Sequence, residues 1–219
     1  MKLGYSPWGN GHNILPFNQL FVDKQDCLQD GFNGIDAFIL WGGTDIHPSY
    51  YGQNHHAWSG APDKPSARDE FEWQAMKYCK AHGIPMIGVC RGAQFLCAFA
   101  GGKLIQDVGG HGGPHQMTTD TGEVIRTTSS HHQMLDVHGT DHELLAWSSH
   151  NLSNHYYGEY SVTPFHIDLR TFKEPEVVFF PDIKGLAIQG HPEWADKDDR
   201  YVQYCLELVQ EFLFDEVWT

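Results

Sequence analysis

"GVCRGAQ", residues 88–94, is the stretch on which the reading of this chain turns. Ahead of it runs GIPMIGV (83–89), apolar and interrupted only by small residues and Pro85. After it runs FLCAFAGG (95–102), apolar and small. A short apolar run of this kind is a buried strand, and the segment behind it, apolar nearly all round, is a helix packed on the middle of a sheet. Cys90 stands at the seam, between Gly88 and Gly92. A cysteine that only fills space needs no such place. A nucleophile does, because a tight strand-to-helix turn exposes its side chain and holds it rigidly. The helix that follows presents unpaired backbone N–H groups and the positive end of its dipole, and both favour a thiolate at Cys90. The N–H of Arg91 then lies close to where an oxyanion would form. Cys97, inside the apolar helix, is expected to be core.

Working outward, MKLGY (1–5) and GIDAFILWGG (34–43) are apolar runs that end in loops, and both predict strands. TDIHPSYYGQNHHAWSGAPDKP (44–65) is a long polar and aromatic loop. From Ala67 to about Ala81, Phe71, Ala75, Tyr78 and Cys79 recur at helical spacing, and Gly83 follows as a stop. KLIQDV, GEVIRTTSS, ELLAWSS and EVVFFPD predict further strands, and the stretch 151–173 resists assignment. KGLAIQGHPEW (184–194) predicts a last strand ending in a turn. DKDDRYVQYCLELVQEFLF (196–214) predicts a closing amphipathic helix with Tyr201, Cys205, Leu208 and Phe212 on its core face. This alternation argues for an α/β domain with a mostly parallel sheet covered on both faces. In such sheets reactive groups gather at the carboxyl ends of strands, where WGGTD (41–45), VCRG (89–92) and QGHPEW (189–194) fall.

The length, 219 residues, suits one sizeable core, so residues 1–219 are expected to form a single domain. A net charge of −14 argues against nucleic acid and anionic membrane surfaces as partners, since both need a basic face. No apolar run is long enough to span a bilayer. The opening MKLGYSPWGNGHN lacks the apolar core of a secretory leader, and the five cysteines are odd in number and scattered. Reduced thiols and a cytoplasmic location are the expectation.

A thiol nucleophile needs a base. In HPE, His191 and Glu193 flank a rigid proline at a strand end, and residues two apart on an extended segment share a side. Glu193 could therefore fix one imidazole nitrogen and leave the other facing the thiol, as in a Cys–His–acid triad. Gly43, in the second glycine pair, is the candidate for a second oxyanion donor. Trp194 could wall the pocket or cap the sheet edge. Arg68 and Glu72 read as a charge cluster at a helix start, and Asp69 is open between that role and the site. The fifteen histidines, among them His55–His56, His111, His115, His131–His132, His138 and His142, lack the tight spacing of a zinc motif. They read as solvent-exposed loop histidines, with no metal expected.

Taken together, WGGTDIHPSYYG, ARDEFE, GVCRGAQFLCAFAGGKLIQDV, SSHHQ and QGHPEW resemble the class I glutamine amidotransferase-like superfamily. Within it the likeness is greatest to the peptidase C26 group, the γ-glutamyl-γ-aminobutyrate hydrolase-like proteins, from about residue 34 to 200. The resemblance implies a flavodoxin-like three-layer sandwich and a triad of Cys90, His191 and Glu193. Cys90 would attack a γ-glutamyl amide carbon, His191 would protonate the leaving amine, and water would hydrolyse the glutamyl thioester. Gln94 would hold the α-carboxylate or α-amino end, and Ser130, His131 and Gln133 would line the same pocket. No metal or organic cofactor is implied, and the substrate would be a small γ-glutamyl compound or glutamine. Two alternatives stay open: a glutaminase subunit passing ammonia to a separate synthetase partner, and a silent binding or metal-binding module on the same fold. A homo-oligomer is equally open. The loop SPWGNGHN and the aromatic, His-rich stretch 151–173 depart from the family, which puts the leaving group in question.

Overall fold

The computed structural model describes residues 1–10 and 13–215. In chain order its strands are β1 (Lys2–Tyr5), β2 (Asp23–Asp26), β3 (Ala37–Leu40), β4 (Met86–Val89), β5 (Lys103–Ile105), β6 (Asp107–Val108), β7 (His115–Thr119), β8 (Val124–Thr127), β9 (Met134–Asp136), β10 (Glu143–Ser148), β11 (Tyr156–Tyr157), β12 (Pro175–Phe180) and β13 (Gly185–Ile188). The helices are α1 (Cys27–Asp30), α2 (Ala67–His82), α3 (Arg91–Phe99) and α4 (Arg200–Leu213). One sheet runs in the order β2–β1–β3–β4–β13–β12–β10–β7–β8. Every pairing from β2 to β13 is parallel, and its order is the 2-1-3-4-5 of a flavodoxin-like sheet. From β13 to β8 every pairing is antiparallel. The expected parallel core is therefore present, and an antiparallel half extends it.

Period-two alternation sorts the central strands onto two faces. Ala37, Ile39, Ile87, Val89, Leu186 and Ile188 pack with α4 on one side. Phe38, Leu40, Met86 and Ala187 pack with α2 and α3 on the other. Both faces are buried, which is why these strands read as unbroken apolar runs. Helix, sheet and helix make the three layers of an α/β sandwich.

Local chemistry sets the helix ends. Ser66 and Asp69 form a reciprocal capping box at the start of α2, and Gly83, at φ +66°, ends it. Asp199 accepts from the N–H of Tyr201 and caps α4. α3 stops at Phe99, three residues short of the expected end, because Gly101 turns the chain at φ +92° into β5. KLIQDV is not one strand. Gln106 breaks it, its buried amide tied to Asn54 O and the His56 N–H, so β5 pairs with β9 while β6 pairs with β11. The stretch 151–173 holds β11 and is otherwise irregular.

Two glycines let the elbow lie against the sheet. A Cβ on Gly88 would stand 2.5 Å from the Gly92 carbonyl oxygen, and one on Gly92 would collide with the Leu40 carbonyl. Gly92→Ala is expected to cost about 3 kcal/mol, the upper range for overpacking, because backbone blocks the added methyl. Urea unfolding checks this, and an unchanged midpoint would show that β3 yields at the contact.

Candidate active site

Three parallel strands deliver the site. The loop after β3 carries Gly42 and Gly43, the seam after β4 carries Cys90, and the turn after β13 carries His191 and Glu193. Cys90 has φ +52° and ψ −106°, a conformation that side-chain-bearing residues rarely adopt. Its N–H donates to the Ile188 carbonyl at 2.8 Å and its carbonyl accepts from the Gln94 N–H at 3.1 Å, so the turn is fixed on both sides. Cys90 is buried but for a 7% exposed surface.

His191 sits where the expected extended strand has already ended. Pro192–Trp194 form a single 3₁₀ turn, and Glu193 reaches back from it to His191 Nδ1 at 2.8 Å. The pairing expected from HPE is thus made by a turn rather than by strand alternation. Thr128 clamps the backbone of His191: its hydroxyl donates to the His191 carbonyl at 2.6 Å and accepts from the His191 N–H at 3.0 Å. Trp194 lies flat on the imidazole, with centroids 3.7 Å apart and planes 5° from parallel, so it walls the histidine. Burial pulls the His191 pKa down, but hydrogen bonds with the Cys90 sulfur and the Glu193 carboxylate outweigh it and hold the pKa at about 9. The imidazole is therefore favoured as a cation at neutral pH. Burial pushes the thiols of Cys27 and Cys79 up to about 12, and those of Cys97 and Cys205 higher still.

Gly42 packs directly against the pair, since a Cβ there would stand 2.9 Å from His191 Cε1 and 3.5 Å from Cys90 Cβ. Gly43 has φ +149°, and a Cβ on it would strike the Arg68 guanidinium. Arg68 donates to the carbonyls of Trp41 at 2.6 Å and Gly42 at 3.0 Å. Arg91 donates to the Thr44 carbonyl at 2.8 Å and pairs with Asp69 and Glu72. Arg68, Asp69 and Glu72 thus form one buried charge network that holds the 41–44 loop beside the elbow, and Asp69 belongs to it. The N–H of Arg91, in the first turn of α3, has no carbonyl partner within the helix.

The expected pocket residues divide. Gln94 is buried and its amide donates to the Gln133 carbonyl at 3.0 Å, so it lashes the elbow helix to the 129–133 loop instead of pointing a free amide at a ligand. Gln133 is buried, with Oε1 lacking a partner and Nε2 3.4 Å from Ser59 Oγ. Ser130 is exposed, and Ser129 is the serine that anchors this loop, donating to the His111 carbonyl at 2.6 Å. His131 turns inward, its ring 4.6 Å from that of His111, and burial holds its pKa well below the usual value. The expectation of exposed loop histidines holds for His55 and His138 and fails for His56, His111 and His131, which the fold buries. Sequence reasoning missed Thr128, which carries no motif. It also missed Glu174 and Glu176, which had a signal: two carboxylates at the head of a strand that is otherwise apolar.

Residues 13–167 match the model of the Peptidase C26 family. That span holds Cys90 and the 129–133 loop and stops short of His191 and Glu193. A glutamine amidotransferase-like protein of Lactococcus lactis subsp. cremoris, a YvdE homolog, is 38% identical over 98 residues, covering 45% of this chain and 50% of that protein. A candidate glutamine amidotransferase of Schizosaccharomyces pombe is 37% identical over 113 residues, covering 46% of this chain and 43% of that protein. The chain spans about half the length, or less, of the curated relatives it matches. Among solved structures, a candidate GMP synthase component from Thermoplasma acidophilum superposes with a TM-score of 0.59 at 16% identity, over 97% of this chain and 92% of that one. A chain of PurLQS from Thermotoga maritima gives 0.60 at 14%, over 94% and 97%. At these identities the likeness is one of fold. No helix among the described residues is long and apolar enough to cross a membrane.

The His191 environment has a direct readout. The imidazole should keep its proton through neutral pH and lose it near 9, and Cys90→Ala should lower that midpoint by removing the sulfur partner. Histidine NMR titration measures both, and an unmoved midpoint in Cys90→Ala would rule out the sulfur contact.

Proposed function

Since the chain belongs to the Peptidase C26 family, we propose that it is a cysteine hydrolase that cleaves the γ-glutamyl amide bond of a small γ-glutamyl compound. Family membership supports the broader hydrolase and amidotransferase type, and the γ-glutamyl substrate is the finer part of the reading. The observation that carries it is Cys90 held at positive φ beside His191, whose Nδ1 is fixed by Glu193 at 2.8 Å. In this mechanism the Cys90 sulfur attacks the γ-carbonyl carbon. The N–H groups of Arg91 and Gly43 take the developing oxyanion. His191, already a cation, gives its proton to the leaving amine as the C–N bond breaks. Water then adds to the glutamyl thioester, with His191 as the base, and glutamate leaves. No step calls on a cofactor.

The observation favouring a second reading, a glutaminase subunit serving a synthetase, is the fold shared with a chain of PurLQS and with a candidate GMP synthase component. One assay separates the two: glutamate release from glutamine, γ-glutamyl-aminobutyrate, a γ-glutamyl peptide and a polyglutamate. Release from a γ-glutamyl amide other than glutamine supports the hydrolase. Release from glutamine alone, raised by a copurifying synthetase, supports the glutaminase reading. In either case Cys90→Ala should lose more than about 10³-fold in turnover, as for removal of a triad nucleophile, while its melting temperature stays close to wild type. Full activity in that variant would end the triad reading.

A further inference from the structure

A second group of titratable side chains gathers where the head of β12 meets the loops at 109–115 and 129–133. It consists of His111, His115, His131, Glu174 and Glu176, and none of these serves the reaction above. His111, His131 and Glu176 are buried and each offers one ligand atom, all within 4.8 Å of one another.

The hydrogen bonds around the cluster decide which atoms face inward with a free lone pair. His131 Nδ1 lies 2.8 Å from the Gln133 carbonyl, which can only accept, so Nδ1 carries the proton and Nε2 a lone pair. That Nε2 is buried and has no hydrogen-bond partner. Neither His111 nitrogen makes a hydrogen bond: Nε2 lies 3.2 Å from a Glu174 oxygen, and Nδ1, 3.6 Å from Glu176 Oε1, is the nitrogen on the Glu176 side. Both nitrogens of His115 face acceptors, Gly113 O at 3.3 Å and Glu176 Oε1 at 2.7 Å. His115 thus holds one oxygen of Glu176 and leaves Oε2 buried without a partner. Glu174 is anchored by the N–H groups of Leu152 and Ser153 and by the Tyr156 hydroxyl at 2.7 Å.

Two imidazoles, each with its outer nitrogen turned to a carbonyl or carboxylate, beside one carboxylate oxygen, are the ligand set and outer support of a zinc-type centre. Unpaired buried polar atoms are costly, and this cluster holds four: both His111 nitrogens, His131 Nε2 and Glu176 Oε2. A tetrahedral ion places its ligand atoms about 3.4 Å apart, within reach of small side-chain rotations. We propose that His111, His131 and Glu176 bind one divalent transition metal of the zinc class, pinning the 109–115 and 129–133 loops to β12. The same pin would steady Gln133 and, next to Ser129, the Thr128 clamp on His191.

The test titrates Zn²⁺ calorimetrically into chelator-treated Cys90→Ala protein, so that the reactive thiol cannot take the metal. One Zn²⁺ per chain is expected. His131→Gln and Glu176→Gln should each weaken binding by at least about 100-fold, beyond the roughly 10–100-fold typical of losing an outer partner. The exposed-site control His55→Gln should bind as the parent does. No saturable binding, or equal affinity in folded His131→Gln and Glu176→Gln, overturns the proposal. Should both variants fail to fold, X-ray absorption of the Zn²⁺-loaded parent decides: two imidazoles at about 2.0 Å are expected, and a sulfur shell or a single imidazole overturns it. Neither readout uses turnover, so this test and the hydrolase assay fail independently.

Discussion

Arg91 is a guanidinium removed almost wholly from water at the first turn of the elbow helix. A charge so buried persists only if its donors are met, and here Asp69, Glu72 and the Thr44 carbonyl meet them. The consequences spread through the fold. α2 must lie with Asp69 and Glu72 against the elbow. Glu72 in turn takes Arg68 and the Ser6 hydroxyl, and Arg68 takes the carbonyls of Trp41 and Gly42. The loop after β3 is thereby held by its carbonyl oxygens beside the cysteine. Removing one partner of such a pair typically costs about 3–5 kcal/mol, because the other charge stays buried. The network is therefore as much a positioning device as a source of stability.

The backbone of Cys90 supplies the second constraint. Holding a non-glycine residue at φ +52° costs on the order of 1–3 kcal/mol and needs a surround that over-determines it. The β4 and β13 pairing, the Gly88–Gly92 contact and the packing of Gly92 on Leu40 provide that surround. Cys97 illustrates the alternative use of the same residue. About two turns further along the helix, it donates weakly to the Lys103 and Asp136 carbonyls, and burial leaves it a neutral thiol.

The antiparallel half of the sheet does different work. β12 and β13 are neighbours, so the segment entering β12 lies beside the segment leaving β13, and Gln189 N–H reaches the Glu176 carbonyl. β7 and β8 extend the sheet and deliver the 128–133 loop to the same end. Thr128 thus reaches His191, and Gln133 and the inward histidines lie on the same loop side of the sheet. A purely parallel sheet would need a crossover for each of these segments, whereas antiparallel neighbours return them directly.

Much of this was legible in the residues themselves. Unbroken apolar runs at 37–40, 86–89 and 185–188 announce strands buried on both faces. The helical spacing from Ala67 to about Ala81 with its Gly83 stop, and the glycines flanking Cys90, announce a helix and a tight turn. Those signals are local, because each depends on what one segment can bury or which backbone angles it can adopt. The exposure of a histidine, by contrast, is decided by what folds over it: His111 and His131 carry no motif spacing, yet loops and β12 close around them. Gln94 shows the same limit, since its side chain is claimed by a backbone carbonyl 39 residues away. Periodicity and turn chemistry therefore determined the α/β core and the seam where Cys90 stands. Only the tertiary structure decided which charges neutralise Arg91, which groups clamp His191 and which polar atoms meet in the interior, because those partners are brought together by packing and not by neighbourhood in the chain.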